Sequence, residues 1–179
     1  MARLLMVPGI DGSDDEHWQT RWEAELPSAR IRPTSWSEPD RGDWIRALER
    51  EARAGDLVVA HSLGCLAALD WLQETGVRVA GALLVAPPDC DGAGFPGAAS
   101  SFRSPDTASP VPALVIASSD DPYCSAPRQR ALAATWGAAL IDVGPHGHLN
   151  SRSGLGSWRE GYHLAGAFAA GLGSPLPPL

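Results

Sequence analysis

Apolar and polar positions along this chain alternate between two spacings. Short runs rich in Val, Leu and Ile, at Arg3–Val7, Leu57–Ala60, Val79–Ala86, Ala113–Ala117 and Ala139–Val143, read as buried strands. Between them lie segments whose apolar residues recur every three to four positions. In Asp14–Leu26 the stripe is Trp18, Trp22 and Leu26, one face of a helix. Asp43–Ala54 repeats it with Trp44, Leu48 and Ala52, and Asp43 is the expected N-cap. Leu63–Gln73, closed by Gly76, Ala126–Trp136 and Tyr162–Gly171 complete the helical segments. Strand and helix patterns in rotation predict an α/β fold: one domain of three layers, with a mainly parallel sheet of about six strands between crossover helices. The predicted domain covers residues 1–174, and the Pro-rich stretch 175–179 is expected to be a frayed tail.

One stretch breaks the rotation. Residues Pro87–Pro112 are rich in Gly, Pro, Ser and Asp and contain no convincing element. A loop of this length in a compact domain is usually functional or disordered. Here it predicts an open, uncapped site.

At 179 residues, 44% hydrophobic and 20% charged, the chain suffices for one well-buried core. A formal charge of −7 and the lack of any basic stripe argue against nucleic acid as a partner. No apolar run approaches a membrane span, and the apolar run near the N-terminus is too short for a signal segment. All 14 basic residues are Arg. Without Lys there is no Schiff-base lysine, phosphate-loop lysine or Ser-Lys dyad. Cys65, Cys90 and Cys124 have neither zinc-site nor disulfide spacing, so neither metal nor cofactor is expected. With no export signal, the cytoplasm is the expected location.

The chemistry concentrates at Leu57-Val-Val-Ala-His-Ser62-Leu-Gly-Cys65, followed at once by an apolar helical segment. Strand, Ser between small residues, then helix is the pattern of a nucleophile elbow, in which a strained turn lifts a serine hydroxyl above the sheet. The G-x-S-x-G form stands here as Ala60-His61-Ser62-Leu63-Gly64. A serine nucleophile needs a base, and the base needs an orienting carboxylate. In this fold the chain order is Ser, acid, His. After the strand Ala113–Ala117 come Asp120 and Asp121; Asp121 is favoured because Pro122 stiffens the backbone behind its carboxylate. After Ala139–Val143 come His146 and His148; His148 is favoured because Gly147 allows a sharp turn before it. The backbone N–H groups of Leu63 and Ile10 are the expected oxyanion donors. His17, His61, Phe95 and Phe102 are candidate substrate contacts, with local packing or hydrogen bonding as the alternative for His61. Asn150 is a candidate for fixing the His148 loop.

Several local patterns agree with a known family. Pro8-Gly9 with His17-Trp18, His61-Ser62-Leu63-Gly64, Asp120-Asp121-Pro122-Tyr123, and Gly147-His148-Leu149-Asn150 with Ser153-Gly154-Leu155-Gly156-Ser157-Trp158 resemble the small serine hydrolases that include the YdeN-like proteins and retinoblastoma-binding protein nine. The resemblance runs from Leu4 to the last helix. It implies a capless α/β-hydrolase with a Ser62-Asp121-His148 triad, acting on a small-molecule ester or other acyl substrate. Ala60 replaces the usual Gly, and Cys124 stands where an aliphatic residue is commoner. Two other readings stay open at this stage. One is a protein-binding module on a hydrolase scaffold, the other an acyltransferase or peptidase with the same triad. Protein partners are not indicated by the sequence.

Overall fold

The strand patterns assemble into one parallel sheet of six strands. A computed structural model describes residues 1–178. Strands β1 (Leu4–Val7), β2 (Ser28–Arg30), β3 (Leu57–His61), β4 (Gly81–Val85), β5 (Ala113–Ala117) and β6 (Ala139–Asp142) lie in the order β2-β1-β3-β4-β5-β6. β2 is a three-residue edge strand that the sequence pattern did not reveal; only Leu4 to Met6 pair with it. The chain leaves β1 toward one edge and resumes at β3 on its other side. The crevice at the C-terminal ends of β1 and β3 is therefore the topological switch point, where open α/β sheets bind ligands.

Alternation along the strands explains the three layers. Leu5, Val7, Val58, Ala60, Leu84 and Val115 face one side, packing against α2 (Arg41–Glu51), α3 (Leu63–Glu74) and α4 (Ala126–Thr135). Leu4, Met6, Leu57, Val59, Leu83 and Ile116 face the other, against α1 (Trp18–Glu25) and α5 (Arg159–Gly171). With a period of two, each strand feeds both cores.

Tryptophans tie the irregular segments to this frame. Trp18, Trp22, Trp44, Trp71 and Trp136 are fully buried. Each removes about 150–250 Å² from water, roughly 4–6 kcal/mol of transfer free energy. Four of them also spend the indole N–H on a loop carbonyl: Trp18 on Leu149 (2.8 Å), Trp22 on Ser157 (2.7 Å), Trp44 on Ser35 (3.1 Å) and Trp136 on Pro105 (2.9 Å). A buried indole nitrogen needs an acceptor, and a loop carbonyl needs a donor.

Helix boundaries differ from the sequence expectation where side chains cap. α1 begins at Trp18, not Asp14, because the His17 imidazole accepts the Gln19 N–H and Asp14 instead accepts from Ser151 and Glu16. α2 is capped by Asp40, whose carboxylate accepts the Asp43 N–H at 2.8 Å. Asp43, expected as the cap, binds Thr34. α3 ends at Glu74 and is capped by Thr75, in extended conformation, before Gly76.

The 87–112 stretch is a loop with a single 3-10 turn at Gly97–Ala99. Arg128 of α4 pairs with Asp89 (3.0 Å) and Asp91 (2.7 Å), and Ser109 N–H donates to Trp136 O at 2.8 Å. Residues 175–178 are docked where fraying was expected: Ala2 N–H donates to Pro175 O, and the Tyr162 hydroxyl donates to Pro177 O.

Candidate active site

Ser62 stands where β3 turns into α3, with φ 54° and ψ −127°. This is a strained conformation for a residue with a Cβ. Two glycines make room for it. A Cβ on Gly64 would lie 2.2 Å from Val7 O and 2.5 Å from Pro8 O; one on Gly9 would lie 2.7 Å from the Ser62 Cβ. Ser62 N–H donates to Val85 O at 2.9 Å, tying the turn to β4.

The two candidate acids after β5 diverge. Both Asp121 carboxylate oxygens lie 2.9 Å from His148 Nδ1, and Oδ1 also accepts the Tyr123 N–H. Asp120 turns away and accepts the Gly147 N–H at 2.7 Å and the Ser118 hydroxyl at 3.0 Å. Those bonds, first the amide and then the hydroxyl, hold its carboxyl below the usual range. His148 is buried, and its Nε2 lies 2.7 Å from Ser62 Oγ. A carboxylate only accepts, so Nδ1 carries the proton and Nε2 is left to accept from the serine hydroxyl. His146 is exposed.

These groups open into a cavity of about 260 Å³ at the switch point. Ile10, Leu63, Pro88, Phe95, Pro96 and Ala99 supply an apolar wall; Asp11, Asp14, Asn150, Ser151 and Arg152 supply a polar one. Tyr123 and His17 also line it, and Tyr123 packs edge-on to His148 with ring centres 4.5 Å apart. The amides of Asp11 and Gly12 are bonded to Trp36 O and Gly9 O, whereas the Ile10 N–H meets no acceptor among the described residues. Leu63 is the first residue of α3, so its N–H has no carbonyl one turn back.

The four candidate substrate contacts separate. Phe95 and His17 are on the cavity wall. His61 also borders it, but its Nε2 lies 2.9 Å from the His148 carbonyl oxygen. Phe102 is not in the cavity: it is fully buried, edge-on to Trp44 with centres 5.5 Å apart. The loop returns to the α2 side there, and an apolar ring gains more from that core than from the cavity rim. Asn150 closes a capping box, accepting from Arg152 N–H while its own N–H donates to Ser153 Oγ. The polar wall and Tyr123 were missed from sequence. Their signal was adjacency, since residues 150–152 follow His148 and Tyr123 follows Asp121 by two.

Burial sets the charge states nearby. It pushes the His17 imidazole down to about 4 and His61 well below its ordinary value, so both are neutral near pH 7. It pushes the Cys65 thiol up, and Cys124 up to about 12, leaving both protonated. Among the described residues, no three His, Cys, Asp or Glu are grouped so as to hold a metal ion, and no helix is long and apolar enough to cross a membrane.

Comparison with known proteins agrees with this geometry. A model of the serine hydrolase family matches residues 4–166. The chain belongs to that family. A YdeN-like hydrolase from Pectobacterium atrosepticum is 32% identical, with 99% of this chain and 94% of that one covered and a TM-score of 0.85. The ydeN gene product of B. subtilis is 22% identical over 95% of this chain and all of its own, TM-score 0.73. An esterase of Thermogutta terrifontis shares the fold at 13% identity, with coverage of 99% and 85% and a TM-score of 0.68. No curated protein sequence matches the chain. The protein is thus a serine hydrolase of α/β fold, an enzyme.

Proposed function

We propose that the enzyme cleaves esters and related acyl substrates through an acyl-enzyme intermediate on Ser62. The observation that carries this reading is the unbroken chain of contacts from Ser62 Oγ through the His148 ring to Asp121, at 2.7 and 2.9 Å. His148 Nε2 takes the Ser62 proton as the oxygen attacks the acyl carbon. Asp121 keeps the ring in the required tautomer and stabilises the imidazolium that forms. The amides of Ile10 and Leu63 receive the developing oxyanion; each such donor is worth about 10²–10³ in kcat. His148 then returns its proton to the leaving group. In the second half-reaction the same ring deprotonates water, which releases the acid. A cavity of about 260 Å³ with an apolar wall suits a short acyl group.

The test is intact-protein mass spectrometry after a fluorophosphonate, alongside hydrolysis of a short-chain nitrophenyl ester. Wild type is expected to take one adduct and Ser62→Ala none, with esterase activity lost in the variant. A folded Ser62→Ala protein that keeps full activity overturns the reading.

A further inference from the structure

The backbone on either side of His148 is held by side chains from three remote parts of the chain. Before it, Gly147 N–H donates to Asp120 Oδ1 at 2.7 Å. At it, the His148 carbonyl oxygen faces His61 Nε2 at 2.9 Å. After it, the Leu149 carbonyl accepts from Trp18 Nε1 at 2.8 Å. A carbonyl oxygen only accepts, so the neutral His61 ring carries its proton on Nε2 and donates. Ser118 reinforces the first anchor: it accepts the His146 N–H at 2.9 Å and stands 3.0 Å from both Asp120 Oδ1 and Gly144 O.

The segment would not keep this course unaided. Leu149 has φ 50°, in the left-handed region that a branched side chain disfavours, and no regular element runs from Val143 to the 3-10 turn at Ser151. Such a backbone persists only where its surroundings over-determine it. The His148 ring must meanwhile reach Asp121 and Ser62 together.

We propose that Asp120, His61 and Trp18 are positioning residues that hold the 147–149 backbone so that the His148 ring meets both partners. The inference rests on the acyl-enzyme reading above. It divides the adjacent acids: Asp121 takes the ring, Asp120 the backbone. It also gives His61 a task other than substrate contact, and it explains what Trp18 contributes to a site made largely from later parts of the chain.

The experiment compares full-length wild type, Asp120→Ala, Asp120→Asn and Trp18→Phe, each checked by circular dichroism and Tm. kcat and KM are measured on a short-chain nitrophenyl ester, together with the rate of fluorophosphonate labelling. For Asp120→Ala we expect kcat and the labelling rate to fall roughly 10- to 100-fold with KM within about twofold, as for misplacement of a reacting group. Asn still presents an oxygen to Gly147 and Ser118, so Asp120→Asn should recover most of the rate. Trp18→Phe keeps an aromatic ring without the donor, and a smaller loss of kcat is expected. In a His148→Ala background, Asp120→Ala should change the residual rate by less than about twofold, because residues acting through one group are not additive. The proposal fails if wild type labels at Ser62 and folded Asp120→Ala labels equally fast. It fails equally if the full loss persists in the His148→Ala background. A wild type that does not label at all overturns the acyl-enzyme reading first.

Discussion

The elbow at Ser62 and the segment carrying His148 are both strained and both irregular, yet they are held in opposite ways. The elbow is held by backbone and by absence of side chain. Its φ of 54° is sustained by the hydrogen bond that Ser62 N–H donates to Val85 O and by the tight passage of Gly9 and Gly64 against the neighbouring chain. The segment from Gly144 to Trp158 has left-handed Leu149 and Trp158. It is held by side chains from outside: Asp120, Ser118, His61, Trp18 and Trp22. A turn held by backbone leaves a short sequence motif. A segment held by distant donors leaves only scattered polar and aromatic residues, whose meaning depends on where the fold carries them.

The most damaging way to break the elbow is Gly64→Ala. Its methyl would meet two backbone carbonyls at 2.2 and 2.5 Å, and neither can swing aside as a side chain could. We expect a loss of about 3 kcal/mol or more, read as a fall in Tm of roughly 10 °C or as insoluble protein. A soluble variant of unchanged Tm would show that the elbow tolerates more than this packing implies. Gly9→Ala is a milder probe of the same region. Its methyl would press on the Ser62 Cβ at 2.7 Å and Oγ at 3.2 Å, moving the Ser62 hydroxyl more than the fold. Esterase kcat should fall by about 10²-fold, the usual result of an ångström-scale misplacement, while the melting curve changes little. Equal kcat in the two proteins would contradict it.

Acid tests the other region, and it is read as stability alone. Burial holds His17 neutral down to about 4 and lowers His61 as well, whereas a histidine in the unfolded chain takes up a proton near 6.5. Between those values the unfolded state binds more protons. Stability is therefore complete above pH 6.5 and declines as pH falls toward 4, with a slope of up to about 1.4 kcal/mol per unit for each histidine. Denaturant titrations at pH 7.5 and 5 should show the decline. His17→Asn, which keeps an N-cap acceptor but cannot titrate, should flatten it. Parallel curves for the variant and wild type would remove His17 from the account.

Much of the architecture was legible in advance. β5 matches its predicted span, and the other long strands and helices lie within a few residues of theirs, because apolar periodicity reports burial directly. β2 escaped, since three half-buried residues at a sheet edge show no alternation worth reading. Asp43 was read as a cap because an acid before an apolar stripe fits that role; Asp40 reached the free amides first, and Thr34 engaged Asp43. Phe102 shared the loop and chemistry of Phe95, and nothing in the sequence says that one ring turns toward the cavity and the other toward Trp44.

By itself, then, the sequence determined the layered α/β fold, the strand–turn–helix that carries Ser62, and which acids and histidines follow β5 and β6. Those depend on residues a few positions apart, whose spacing fixes which face or turn they occupy. Only the tertiary structure decided which acid faces the His148 ring, which walls the cavity has, and why the backbone around His148 keeps its course. Each of those is a contact between residues 27 to 131 positions apart. Such contacts form because the sheet brings the ends of β1, β3 and β5 to one edge, and no local pattern records that convergence.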